Sequence, residues 1–206
     1  MEHTTENGYL LPVVASFNTL QGEGFHAGVA AFFIRLGGCD IGCHWCDTKE
    51  SWDAEIHPKM NVEEIASTIK KSNTNVAVIT GGEPVMYNLG PITKSIKQLG
   101  VKTHIETSGA YPLTGSWDWV CLSPKKNAPP VNSIYKRTNE LKIIIHNHDD
   151  FNWAETHAKK VEKECKLYLQ PEWGKSKKMI LEIKKYIEKY PSWRLSLQTH
   201  KYLGIP

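Results

Sequence analysis

The sequence predicts an α/β fold, a partial and open β/α barrel, and three observations carry that prediction. Short apolar runs alternate with amphipathic helical stretches along most of the chain, as in a parallel sheet with crossover helices. Small polar or glycine-rich clusters follow several of those runs, and in such folds these strand ends share one edge. Seven or so strands are too few to close an eightfold barrel.

Taken in order, the first twelve residues are polar and are expected to fray, within one domain spanning 1–206. A short strand over 13–17 leads into Asn18-Thr19-Leu20-Gln21-Gly22-Glu23-Gly24, where two glycines let the backbone approach a ligand. Read alone, that loop is better taken as a turn with a solvated Glu23. Ala30-Ala31-Phe32-Phe33-Ile34-Arg35-Leu36 is a buried strand that breaks at Gly37-Gly38. An unpaired guanidinium is costly inside it. Arg35 therefore pairs with a carboxylate such as Glu23, or reaches the carboxylate of a ligand.

Cys39, Cys43 and Cys46 follow on the next loop, then Asp47-Thr48 and a loop with Trp and His to about residue 60. Asn61 is an N-cap, with Glu64 completing a capping box, for a helix over 62–71. A strand over 76–79 ends at Thr80-Gly81-Gly82-Glu83-Pro84. Pro91 opens a helix that runs to residue 99 and stops at Gly100. Strands over 102–105, 119–122, 141–145 and 166–169 precede, in turn, Glu106-Thr107-Ser108-Gly109, Ser123-Pro124-Lys125, the His146/His148 pair and Gln170-Pro171-Glu172-Trp173. Helices are expected over 150–164 and 177–189, and a last strand over 194–197.

Composition excludes several classes. With 25 basic against 22 acidic side chains, the net charge of +3 is too balanced for a nucleic-acid surface. No apolar run approaches the ~20 residues of a membrane span, and the N-terminus lacks a basic-then-apolar signal. Five cysteines, three of them clustered, fit a reduced cytoplasmic protein better than a disulfide framework.

Three thiols on one short loop suit a metal centre. A structural zinc site would want a fourth ligand, whereas a [4Fe–4S] cluster on three cysteines leaves one iron open for a cosubstrate. The spacing favours the cluster and leaves a zinc-binding loop as the alternative.

The C-x3-C-x2-C spacing resembles the signature of the radical S-adenosylmethionine (SAM) superfamily, and Gly81-Gly82-Glu83-Pro84 resembles its GGEP motif. The front loop, the segment Phe33 to Cys39, Cys46-Asp47-Thr48, Ser123-Pro124-Lys125 and the Gln198-Thr199-His200-Lys201 tail narrow the match. Together they resemble the 7-carboxy-7-deazaguanine synthase family of queuosine biosynthesis, over nearly the whole chain. That resemblance implies a barrel of the radical SAM type and a lyase that turns 6-carboxy-5,6,7,8-tetrahydropterin into 7-carboxy-7-deazaguanine with release of ammonia. It implies Cys39, Cys43 and Cys46 on a [4Fe–4S] cluster, Thr48 on Mg²⁺, and SAM as a regenerated cofactor. Trp45, Asp47, Gly82, Glu83, Ser108, Ser123, Pro124, Lys125 and Gln170-Pro171-Glu172-Trp173 would then line the SAM site. Leu20, Gln21, Gly22, Glu23, Arg35, Thr80, His200 and Pro206 would face the pterin, with Tyr202, Leu203 and Ile205 burying the tail. A homodimer fed by an electron donor such as flavodoxin or ferredoxin is also implied.

Other conspicuous residues have plain explanations. Cys121 and Cys165 lack neighbours at ligand spacing, His146 and His148 read as loop histidines, and Trp117, Trp119 and Trp193 read as packing. A glycyl-radical activase shares the cysteine spacing without needing the Gln-Gly-Glu-Gly loop or Arg35. A non-catalytic zinc module is the competitor from outside enzymes.

Overall fold

Residues 7–206, described by a computed structural model, form a nine-stranded sheet in the order β3-β1-β2-β4-β5-β6-β7-β8-β9. The strands are β1 (Leu10–Leu20), β2 (Ala30–Leu36), β3 (Lys59–Asn61), β4 (Val76–Gly81), β5 (Lys102–Thr107), β6 (Trp119–Leu122), β7 (Glu140–Ile145), β8 (Lys166–Pro171) and β9 (Trp193–Leu195). Five helices accompany them: α1 (Val62–Ser72), α2 (Gly90–Gln98), α3 (Asp150–Ala158), α4 (Ser176–Lys189) and α5 (Thr199–Leu203). From β2 to β9 every pairing is parallel, and β3 and β9 stay unpaired on their outer sides, so the barrel is open as expected.

Chain geometry explains where the sheet departs from parallel. Only nine residues join β1 to β2, too few for a crossover, so the two pair antiparallel. The expected fraying of the first dozen residues does not extend to Leu10–Pro12, which pair with β3; Leu11 is fully buried between them. Residues 1–6 lie outside the described residues. β3 itself falls in the segment read as loop, because three residues are too short to show a period.

Helix α1 follows from its sequence at every level. Asn61 accepts from the Glu63 amide while the Glu64 carboxylate takes the Asn61 amide, a reciprocal cap contributing ~1 kcal/mol. Val62, Ile65, Ala66 and Ile69, at helical spacing, face the core. Helix α3 ends at Ala158 and not near 164. Beyond it only Val161 and Cys165 pack on the core, and the chain must turn at Glu162–Cys165 to enter β8.

Two apolar clusters fill the molecule. One joins β1, β2, β4 and β5 to α1 and α2, and the other joins β7, β8 and Trp193 to α3 and α4. Residues such as Ile79 and Ile143 are fully buried, so truncation to Ala would cost ~2–5 kcal/mol. Cys121 belongs to the buried interior, as expected.

Candidate active site

The parallel strands all point their C-terminal ends to one edge, and a cavity of about 580 Å³ opens there. That is ample for a cofactor and a small ligand together. Its walls come from the loop after β1, the cysteine loop after β2, the ends of β4 to β8, and the segment around α5.

Cys39, Cys43 and Cys46 all border this cavity and all are free thiols. Their loop is tied down on several sides. The Gly38 and Cys39 amides donate to the Ser51 and Trp52 carbonyls at 2.7 and 3.1 Å, Tyr111 bonds Asp40, and the Asn127 amide reaches the Ile41 carbonyl at 3.3 Å. Trp52 Nε1 points at Cys46 Sγ at 3.4 Å, and Thr48 Oγ1 lies 3.7 Å from the same sulfur. Burial raises the Cys39 and Cys43 thiols above the usual range, and the negative charge of their neighbours raises them further. Among the described residues no three His, Cys, Asp or Glu gather round one point where a single metal ion would sit. Three cysteines on one cavity wall would leave a [4Fe–4S] cluster one open iron, whereas a structural zinc site would want a fourth protein ligand.

The end of β4 is built for close approach. Gly82 N–H donates to the Leu36 carbonyl at 2.8 Å and Glu83 N–H to the Gly38 carbonyl at 2.7 Å, so a Cβ at residue 82 would collide with that carbonyl. Glu83, only 2 % exposed, accepts from Thr107 Oγ1, from the Ser108 amide at 2.8 Å and from the Val85 amide at 3.2 Å. Its carboxylate is thus locked at the junction of β4 and β5, on the cavity wall. Ser123 and Lys125 line the cavity beyond β6, with Lys125 Nζ folded onto the Ser123 carbonyl and hydroxyl at 2.7 and 2.6 Å; Pro124 does not reach it. Gln170, Pro171, Glu172 and Trp173 lie at the end of β8. His146, in the loop after β7 as expected, stacks on Trp45 at 5.6 Å and stands 3.5 Å from Glu172 Oε2.

The opposite wall is a network of acids and amides. The loop Leu20-Gln21-Gly22-Glu23 meets β5 and β7, where Lys142 Nζ bonds the Glu23 carboxylate and Glu106 Oε2, the latter at 2.7 Å. Gln21 Nε2 donates to Glu106 Oε1 at 2.8 Å and Gln198 Nε2 to Glu23 Oε1 at 2.9 Å. Burial alone would raise the Glu23 carboxyl, but Lys142 and the amides around it bring it down to about 2. Glu23 therefore does not pair with Arg35. Arg35 makes no ion pair among the described residues, sits opposite Thr80 in the β2–β4 register, and borders the same cavity with it. Of the two alternatives for Arg35, the pairing with Glu23 is the one the geometry removes.

The tail is anchored, though of the three residues expected to bury it only Ile205 is half-buried. Tyr202 and Leu203 are each 61 % exposed. Hydrogen bonds hold the segment: Thr199 N–H and Oγ1 both donate to the Gly22 carbonyl at 2.9 Å, Lys201 reaches Asp47 at 2.6 Å, and Thr19 Oγ1 donates to the Pro206 carbonyl at 2.9 Å. This brings His200 and Pro206 to the cavity with Asp47 and Thr48.

All the singled-out cysteines and site residues other than Pro124 therefore share one cavity. Sequence reasoning missed Lys142, Glu106 and Gln198. Lys142 carried a signal, being a charge inside an apolar strand like Arg35, and Glu106 stood in the cluster that follows the strand over 102–105. Gln198 stood in the tail motif without a role.

The fold and the cysteine-bearing cavity define a class. The Radical SAM superfamily profile matches residues 33–125, which span β2 to the Ser123-Pro124-Lys125 step. A 7-carboxy-7-deazaguanine synthase from Flavobacterium psychrophilum is 52 % identical over 201 residues, 98 % of this chain and 95 % of the relative. That of Escherichia coli K12 is 34 % identical, covering 94 % and 98 %. The crystal structure of QueE from Escherichia coli superposes with a TM-score of 0.82 at 30 % identity, covering 95 % of this chain and 97 % of that one. The chain belongs to the 7-carboxy-7-deazaguanine synthase family of radical SAM enzymes.

Proposed function

We propose that this chain is a carbon–nitrogen lyase that converts 6-carboxy-5,6,7,8-tetrahydropterin to 7-carboxy-7-deazaguanine and ammonia, in queuosine biosynthesis. The observation that carries the reading is one cavity shared by the three thiols and the acid–amide wall. Loss of ammonia alone relates substrate to product, so no net oxidant is needed and SAM can be returned unchanged.

Cys39, Cys43 and Cys46 would hold a [4Fe–4S] cluster, and the ends of β4, β5, β6 and β8 would hold SAM. Bound there, the pair supplies a radical that abstracts hydrogen from the substrate. The protein's own residues bind, orient and shield. Arg35, unpaired and beside Thr80, is placed to take the pterin carboxylate in a two-pronged contact. Glu23 offers an ionised acceptor to the donor edge of the 2-amino-4-oxo ring. His200 and Pro206 close the pocket from the tail. Thr48 would give its hydroxyl to Mg²⁺, an ion that takes oxygen ligands and keeps several waters.

The small-molecule substrate is part of the family assignment. A flavodoxin or ferredoxin donor and a homodimer are proposed from the resemblance alone. No described helix is long and apolar enough to cross a membrane, and five free thiols favour the cytoplasm.

Anaerobic turnover of the carboxypterin with SAM, Mg²⁺ and a reductant tests the reading. Formation of 7-carboxy-7-deazaguanine without net SAM consumption is expected. A protein that holds the cluster and cleaves SAM but leaves the pterin unchanged would overturn it in favour of another radical SAM substrate.

A further inference from the structure

Lys142 stands in the middle of β7 among Leu141, Ile143, Ile144 and Ile145, with its side chain 3 % exposed. Burying an ammonium costs several kcal/mol unless partners compensate it. Here two carboxylates from separate elements do so. Glu23 comes from the loop after β1 and Glu106 from β5, and both bond the one Nζ. Each acid also accepts from an amide, Glu23 from Gln198 and Glu106 from Gln21, and all five side chains border the cavity. Glu140, two residues earlier on β7, is the third acid near the ammonium. The Cys121 thiol of β6 faces it too, and Lys125 is the other nearby cation.

We propose that Lys142 is a positioning residue for the substrate: it holds the Glu23 and Glu106 carboxylates side by side as acceptors, matched to a ring edge that presents N–H donors. The inference rests on the carboxypterin reading above. One positive charge serves two negative ones. Without it, two half-buried carboxylates would repel across a short gap and one would take up a proton. A protonated carboxyl would then point a donor at the donors of the 2-amino and ring N–H edge. Burial holds the neighbouring Glu140 carboxyl above its usual range even though Lys142 draws it down, which shows what desolvation does to a carboxylate on this strand. Glu23 is held at about 2, with Lys142 foremost among the groups that lower it. Burial disfavours the Lys142 ammonium, but the Glu106, Glu23 and Glu140 carboxylates more than offset this and keep it charged. It is therefore no proton shuttle, and its contribution is to place charge.

The test measures carboxypterin affinity of the holoenzyme with SAM and Mg²⁺ but no reductant, at pH 6, 7 and 8, for wild type, Lys142→Met, Lys142→Arg and Lys142→Met/Glu106→Gln. Lys142→Met should bind about tenfold more weakly than wild type at pH 8, as expected for a lost charged hydrogen bond. The mutant-to-wild-type ratio of Kd should widen by about another tenfold at pH 6, because the remaining carboxylates now titrate in that range. Lys142→Arg, which restores the charge balance, should show a ratio that stays flat with pH, while the double variant, which relieves the repulsion but leaves Glu23 without its cation, should widen less than the single variant. Cluster absorbance and SAM affinity should match wild type throughout. A Lys142→Met ratio near one, or a ratio that does not change with pH, would overturn the inference alone. If the single variant does not assemble, a pH-dependent ratio in Lys142→Arg overturns it equally. A wild type that binds no carboxypterin overturns the substrate reading and the inference with it.

Discussion

Gly22 and His200 touch at a separation that only glycine permits: a Cβ on residue 22 would fall on the His200 ring and its Cβ. The Gly22 carbonyl takes both Thr199 donors, so loop and tail are fastened at one residue.

Gly22→Ala should therefore push α5 off the loop. Overpacking of this kind costs ~1–3 kcal/mol, and here much of it falls on the pocket wall. Carboxypterin KM should rise about tenfold, while iron content and SAM affinity hold. Unchanged KM would show that the His200 ring simply swings aside.

Cys39→Ala, Cys43→Ala and Cys46→Ala should each abolish the brown cluster colour and SAM cleavage, read by iron analysis and visible absorbance. Cys121→Ala and Cys165→Ala should keep both. Cys121 is buried among β-strands and Cys165 packs on the second core, so the expected cost is ~1 kcal/mol of stability and no iron.

Thr48 offers its hydroxyl beside Cys46, within the cavity. Thr48→Ala should raise the Mg²⁺ concentration needed for half-maximal turnover, with the cluster spectrum unchanged. A variant that responds to Mg²⁺ as wild type does would leave Thr48 as a turn residue that stabilises the loop.

Two buried histidines make stability depend on acid. Burial, and the neighbouring His26 charge, hold His104 down to about 4; burial and Lys160 do the same for His157. The unfolded chain binds protons on both below about pH 6.5, while the folded chain does not until about pH 4. Their contribution is thus complete above pH 6.5 and is lost as pH falls towards 4, by ~3 kcal/mol for each. Urea midpoints between pH 7 and 4.5 measure it. His157→Gln, which keeps an acceptor for the Tyr135 hydroxyl now 2.7 Å from Nδ1, should flatten the slope relative to wild type.

Local signals made most of this molecule readable from sequence. The Asn61–Glu64 cap, the β2 boundaries and the cysteine loop need only near neighbours to specify them, and each stands where the pattern put it. Boundaries failed where distant partners decide. β1 is eleven residues long because β2 and β3 pair along it, and α3 stops early because the chain must enter β8. The partner of Glu23 was also out of reach. Arg35 and Lys142 are both cations in apolar strands, and only the folded sheet shows that it is Lys142 of β7 that meets the loop after β1.

The joint between Gly22 and Thr199 also bears on the order in which the molecule assembles. Its partners lie 177 positions apart, and closing so long a flexible loop costs roughly 4–5 kcal/mol of chain entropy. Two hydrogen bonds at ~1 kcal/mol each cannot offset that. The joint becomes favourable only after the intervening strands have docked and shortened the effective loop. The catalytic mouth is therefore a late event in folding, added to a sheet that stands without it. It should also be the first part to open under mild denaturant, so activity would fade before the far-ultraviolet signal of the sheet does.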